Sequence, residues 1–171
     1  MTKCLKEVTR IANLFQDDIK KSAEELGWYH RRYRDVIGKF GSASDFDELV
    51  IYDGKSLGLE CKMLGTGKAN PKSFSFNKVS VDQMEGLVKF SKQFGSKGYI
   101  LVNFRYLNNH KGEAYALTIQ EFLYLRWAFP NHEDFIKEYP RNDKSIPLEY
   151  FRESVLQLER LGKGWDLRKL I

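Results

Sequence analysis

The sequence is poor in the residues that staple small proteins or knit them around metal. Only two of 171 residues are cysteines, Cys4 and Cys61. Two cysteines make no disulfide framework, and without a paired C-x-x-C or Cys/His cluster there is no structural zinc site. The three histidines, His30, His110 and His132, lie far apart without ligand spacing and read as surface or loop residues. No tandem repeat or low-complexity tract interrupts the chain. No apolar run approaches the roughly 18–20 residues that span a bilayer, and the first seven residues, Met1 to Glu7, lack the apolar core of a signal peptide. The expectation is a cytoplasmic protein with no membrane segment.

What is present describes an ordinary globular domain with a mild basic excess. Hydrophobic residues make up 42% and the mean hydropathy is −0.50. A length of 171 residues suits one well-cored domain and is short for two. The net charge of +5 is modest, and its placement is more telling than its total. His30-Arg-Arg-Tyr-Arg34 mixes cations with aromatics, and Lys62, Lys68 and Lys72 lie in or beside a Gly-rich loop. Arg31, Arg32, Arg34, Lys68 and Lys72 are therefore candidate phosphate contacts. Lys89 and Lys92 read as the solvated face of a helix.

The densest chemistry lies between Ser42 and Lys62. Asp53-Gly54 is a strong signal for a two-residue hairpin turn, and it sets the register of the flanking strands. With Tyr52 opposite Lys55, Asp47 falls opposite Glu60 and Asp45 opposite Lys62. Side chains alternate with period two, so all four point to one face, while Leu57, Leu59 and Cys61 supply the buried face. Carboxylates held this close repel one another unless a cation lies between them. Mg²⁺ is the natural occupant, since it takes a few carboxylate oxygens and keeps its waters, with Mn²⁺ able to substitute. An activated water attacking phosphorus, with Lys62 orienting it or offsetting developing charge, would hydrolyse a phosphodiester.

The order Ser44-Asp45, hairpin, Glu60-Cys61-Lys62 resembles the PD-(D/E)xK nuclease superfamily, with Ser44 where that pattern usually has proline. Within it the chain is most similar to the RecU and Hjc Holliday-junction resolvases and their phage-encoded relatives, over roughly residues 10 to 125. The elements that carry the likeness are a helix with Phe15 to Ser22, an aromatic-basic strand with Tyr33-Arg34-Asp35, a Gly-Ser loop, the hairpin, a helix carrying Gln83, and Tyr99 to Phe104. The resemblance implies a restriction-endonuclease-like fold and a homodimer acting on four-way DNA junctions in recombination and repair. It implies metal binding by Asp45 and Glu60 and by the Cys61 carbonyl, with Lys62 serving the water. Asp47 is a possible further ligand, thirteen residues before Glu60 where Asp45 lies fifteen before it. Relatives often carry a helper glutamate on the first helix, where Gln16, Asp17 and Asp18 stand here. Ser42 and Ser44 are weak candidates by the same likeness. A restriction, nicking or repair endonuclease, or a non-catalytic DNA-binding accessory module, could share this fold.

Gln83 has two readings. Ser80-Val-Asp-Gln83 is a capping box, and in the resembled family a glutamine at this place sits near the active site.

Along the chain, apolar residues from Leu5 to Leu26 recur at helical spacing and Gly27 reads as the C-cap. Trp28 to Arg34 has strand character, Leu64 to Ser75 reads as a surface loop, Val81 to Ser91 as a helix, and Gly98 to Phe104 as a central strand. Glu113 to Leu117 could add another strand, and Thr118 to Glu121 is a second capping box. Pro147 opens a helix expected to run to Leu161. The expected architecture is a three-layer α/β domain, a central mixed sheet flanked by helices, with residues 140–171 a helical appendage.

Overall fold

The first helix is amphipathic, and its burial follows its spacing. Phe15, Ile19 and Ala23 recur every four residues on one stripe and are fully buried. The helix, α1 (Lys3–Glu25), stops where Gly27 takes a φ of +68°. The computed structural model describes residues 3–33, 45–65, 70–106, 109–140 and 144–171. After α1 come β1 (Tyr29–Arg32), β2 (Glu48–Tyr52), β3 (Lys55–Leu64), β4 (Ser73–Ser75), α2 (Val81–Ser91), β5 (Ser96–Tyr106) and β6 (Asn109–Thr118). The remainder is α3 (Ile119–Asn131), α4 (Glu133–Glu138), β7 (Ser145–Pro147), α5 (Leu148–Ser154), β8 (Leu156–Leu158), β9 (Arg160–Leu161) and β10 (Gly164–Trp165).

Six strands form one sheet in the order β1-β2-β3-β5-β6-β8. The β2–β3 hairpin has the register expected from its turn, Tyr52 opposite Lys55 and Glu48 opposite Leu59. Asp53 and Gly54 both have positive φ, 48° and 71°, as a type I′ turn requires. β3 then runs parallel to β5, with α2 as the crossover, while β5–β6 and β6–β8 are antiparallel. The sheet is therefore mixed.

Alternation along these strands feeds two cores. Leu57 and Leu59 of β3 and Tyr99 and Leu101 of β5 pack under α1. Ile100, Val102 and Phe104 pack on the other side against Met84 and Leu87 of α2 and Phe122 and Phe129 of α3. The result is the three-layer α/β arrangement.

Three expectations differ from what forms. The segment expected as a loop to Ser75 ends in β4, because Ser73 to Ser75 pair with β7 and bury Phe74. The helix expected to reach Leu161 stops at Ser154. Beyond it, Leu156 to Leu158 pair with β6 as the sixth strand of the sheet, an edge that offers open ladder hydrogen bonds. Trp165, Leu167 and Leu170 then close the α1 core, with the Trp165 amide donating to the Ser22 hydroxyl at 2.6 Å. Residues 144–171 are thus woven into the sheet and its core. Because β1 pairs along β2, the hairpin lies one strand in from the edge.

Candidate active site

Glu60 is the centre of the acidic site. It sits mid-strand in β3 on the α2 side and is only 1% exposed. Its Oε1 is held from two directions, by Lys62 Nζ at 2.6 Å and by Gln83 Nε2 at 2.6 Å. Lys62 in turn donates to Gln83 Oε1 at 3.2 Å. The three side chains close a triangle around one carboxylate oxygen, while Glu60 Oε2 is buried with no hydrogen-bond partner. Burial, then the adjacent Asp47 carboxylate, raise the Glu60 pKa to about 7 against the pull of Lys62.

Gln83 completes the capping box and also reaches Glu60. Its backbone N–H donates to Ser80 Oγ and its Oε1 accepts from the Ser80 amide, a complete capping box. Its amide nitrogen remains for Glu60. The cap thus fixes the rotamer that reaches the acid.

Asp47 accepts from the Cys61 backbone N–H at 2.9 Å, which pins it beside Glu60 at the open end of the hairpin. Asp45 takes another course. It is exposed, and its backbone lies against Gly86 of α2, where an added Cβ would meet Asp45 Cβ at 2.5 Å and Asp45 O at 2.8 Å. The reason is Phe46. Strict alternation would turn it with Glu48 and Val50 toward α1, but it packs on the α2 side between Tyr33 and Phe90, with ring centroids at 5.6 and 4.9 Å. The chain rotates there, and the expected convergence of three carboxylates becomes a pair. Among the described residues no group of three or more His, Cys, Asp and Glu side chains stands close enough to hold a metal.

The Cys61 side chain points to the α1 side and packs partly buried against that core. Burial and the neighbouring carboxylates push its thiol pKa up, so it stays protonated and inert. Arg31 is exposed, its guanidinium 5.2 Å from the Tyr33 ring centre, and Lys72 is exposed. Arg34, Ser42, Ser44 and Lys68 lie outside the described residues. Asp17 and Asp18 on α1 face Arg32 and Arg105, at 3.0 and 3.3 Å.

A second buried acid went unread in the sequence. Glu48 is fully buried on the α1 side of β2, accepting from Arg32 Nε at 2.7 Å and paired with His30 Nε2 at 2.6 Å. Arg32 continues to Asp17, which ties β1, β2 and α1 together. His30, expected at the surface, is a partly buried partner of this acid, because a carboxylate placed on an apolar face must be hydrogen-bonded. The available signal was the alternation itself: Glu48 shares a face with Val50. Burial raises the Glu48 pKa to about 7 despite Arg32.

The donor set suits a hard divalent ion. Asp47 and Glu60 supply two carboxylates, Oε2 lacks a protein partner, and Mg²⁺ commonly uses one or two carboxylates with the rest water. No protein-family model matches the chain, and no curated protein does. Among solved structures it is similar to Hjc of Archaeoglobus fulgidus, a Holliday junction resolvase from an archaeal hyperthermophile. The identity is 19% over 84% of this chain and 93% of that one, with a TM-score of 0.46.

Proposed function

We propose that the chain is a Mg²⁺-dependent endonuclease that hydrolyses phosphodiesters in branched DNA, with four-way junctions as substrate, acting as a homodimer in recombination and repair. The observation that carries this reading is Glu60: a buried carboxylate clamped on one oxygen by Lys62 and Gln83, unpartnered on the other, and beside Asp47. A carboxylate pair with a lysine two residues on is the chemistry expected from the PD-(D/E)xK resemblance.

In this reading Asp47, Glu60 and the Cys61 carbonyl hold the ion. When bound it supplies Lewis-acid polarisation of a phosphate oxygen. Lys62 offsets charge developing on the phosphoryl oxygens or orients the attacking water. Gln83 keeps Glu60 and Lys62 in register. Asp45, on the rim against α2, is the further carboxylate of the same segment, and Asp45→Asn should slow cleavage less than Asp47→Asn. Arg31 and Lys72, with Arg34 and Lys68, are phosphate contacts. A homodimer would place two such sites across the twofold symmetry of a junction.

The test is cleavage of end-labelled four-way junction, linear duplex and single strand with Mg²⁺, Mn²⁺ or EDTA, by wild type and by Glu60→Gln. Paired, symmetric nicks in the junction alone, absent with EDTA and lowered at least about a hundredfold in the variant, are the expected result. Cutting of all three substrates would make it a general nuclease. Tight junction binding with no cutting in any metal would leave a non-catalytic DNA-binding module.

A further inference from the structure

At the far end of α2 from Gln83, the chain turns into β5 through Gln93-Phe94-Gly95, and Phe94 has a relative exposure of 105%. A phenylalanine ring left entirely in water gains nothing from the hydrophobic effect until a partner covers it. The backbone beneath it is hydrogen-bonded on both sides. Gln93 N donates to Phe90 O at 3.0 Å, Ser96 N to Gln93 O at 3.1 Å, and Ser56 N of the hairpin to Gly95 O at 2.9 Å. Gly95 has a φ of +72° and sits so close to the hairpin turn that a Cβ would meet Gly54 O at 2.8 Å. The turn is braced, and its ring is bare.

The surroundings are basic. Lys89 and Lys92 are exposed on the last turns of α2, and Lys55 and Lys97 line a 170 Å³ hollow with Gly95 and Ser96. Lys97 also reaches the Leu170 carbonyl at 3.3 Å. Among the described residues, Asp53 in the hairpin turn and Glu85 one turn back on α2 are exposed acids at this end, fewer than the lysines. Tyr52, 47% exposed, stacks on Trp28 at 4.9 Å on the opposite, α1 side of the sheet and stands apart from this patch. A bare ring flanked by lysines is a pattern by which proteins hold unpaired bases and their phosphates.

We propose that the Phe94 turn is a nucleic-acid contact, with Phe94 stacking on an unpaired or opened base and Lys89 and Lys92 taking the adjacent phosphates. This rests on the nuclease reading and deepens it by adding a second anchoring point. The helix sets the spacing: from Gln83 to Ser91, the helical part of the path to Phe94, α2 rises about 12 Å at ~1.5 Å per residue. That is roughly three to four nucleotides at ~3.4 Å each, before the turn that carries the ring. The contact favours DNA whose bases are exposed a few nucleotides from the cut, and a fully paired duplex offers the ring nothing to stack on.

The test compares wild type, Phe94→Ala, Phe94→Trp and Lys89→Ala/Lys92→Ala in the absence of divalent ions. Fluorescence anisotropy is read on a four-way junction, a forked duplex and a linear duplex across a salt series. Phe94→Ala should lose roughly tenfold in affinity for junction and fork, within the range of one base–aromatic stack, and under about twofold for duplex. Phe94→Trp should restore binding, and its emission should be quenched by DNA. The double lysine variant should weaken all three and flatten the log–log salt slope by about two. If Phe94→Ala binds fork and junction like wild type while wild type still binds and cuts, the inference fails and the nuclease reading stands. If wild type binds no DNA, the nuclease reading fails and takes the inference with it. If Phe94→Ala instead dissociates an oligomer in sedimentation with DNA affinity unchanged, the ring is a protein contact and the inference is overturned. Circular dichroism of each variant checks the fold, which an exposed side chain should not affect.

Discussion

Gln83 serves two masters, and substitution can separate them. Gln83→Ala removes half of the capping box and the hydrogen bond to Glu60 Oε1. Ser80→Ala removes the other half of the cap without touching the acid. Both should lose about 1 kcal/mol in chemical denaturation. Only Gln83→Ala should also slow cleavage, by about 10- to 100-fold, the usual cost of removing a partner that orients a site residue. Equal cleavage rates in the two variants would reduce Gln83 to a cap. The cap was legible in the sequence, where Ser80 and Gln83 stand three apart before an apolar helix, while the contact with Glu60 depends on β3 lying beside α2. The choice between Asp45 and Asp47 was not, because it depends on which way Phe46 turns. Phe46 turns toward Tyr33 and Phe90, residues distant in sequence that no local pattern links to it.

At the level of elements, the site is held by a close helix–segment approach on one side of the sheet and a buried ion network on the other. Gly86→Ala places a Cβ 2.5 Å from Asp45 Cβ and 2.8 Å from its carbonyl oxygen, and backbone cannot yield as a flexible side chain would. The expected result is a loss of about 1–3 kcal/mol with cleavage reduced in Mg²⁺, because the Asp45–Asp47 segment must shift. Retained stability with full activity would show that α2 does not set that segment. On the α1 side, Glu48→Ala takes away the partner of Arg32 Nε and His30, though Arg32 keeps Asp17, and should cost about 1–3 kcal/mol in urea unfolding. Glu48→Leu with Arg32→Met should recover much of that loss, since a packed apolar pair replaces a buried ionic one. Similar stability of Glu48→Ala and wild type would deny the network a structural role. The hairpin register could be read from Asp53-Gly54 and its flanks. The tail could not: Pro147 correctly marks a helix start, yet whether Leu156 to Leu158 continue that helix or pair with β6 is decided by a sheet edge that only the folded chain presents.

Across the whole molecule, acid stability is expected to depend on a surface pair far from the site. Glu113 on β6 receives Arg152 Nε and Nη2 at 3.0 and 2.8 Å and the Tyr115 hydroxyl at 2.5 Å. Arg152 first, with the tyrosine hydroxyls, lowers the Glu113 pKa to about 2 from its ordinary 4.5. A depressed carboxylate pKa contributes stability above the unfolded value and loses it as pH falls. The contribution should be complete above about 4.5 and disappear on the way to about 2. Half-exposed Arg152 is screened by solvent and salt, so the effect should be partial. In denaturant titrations from pH 6 to pH 2, the gap between wild type and Arg152→Ala should narrow across that window. A gap that stays constant would assign the stability to packing of α5.

The bond between Trp165 and Ser22 spans 143 residues of chain. Translation at ~5–20 residues per second puts roughly 7–30 s between the two. Throughout that interval α1 has left the ribosome with its apolar stripe of Phe15, Ile19 and Ala23 still lacking the cover of Trp165, Leu167 and Leu170. The nascent chain must hold this apolar stripe without its final cover until nearly its last described residues arrive, so closure of the α1 core is expected to be a late step of folding.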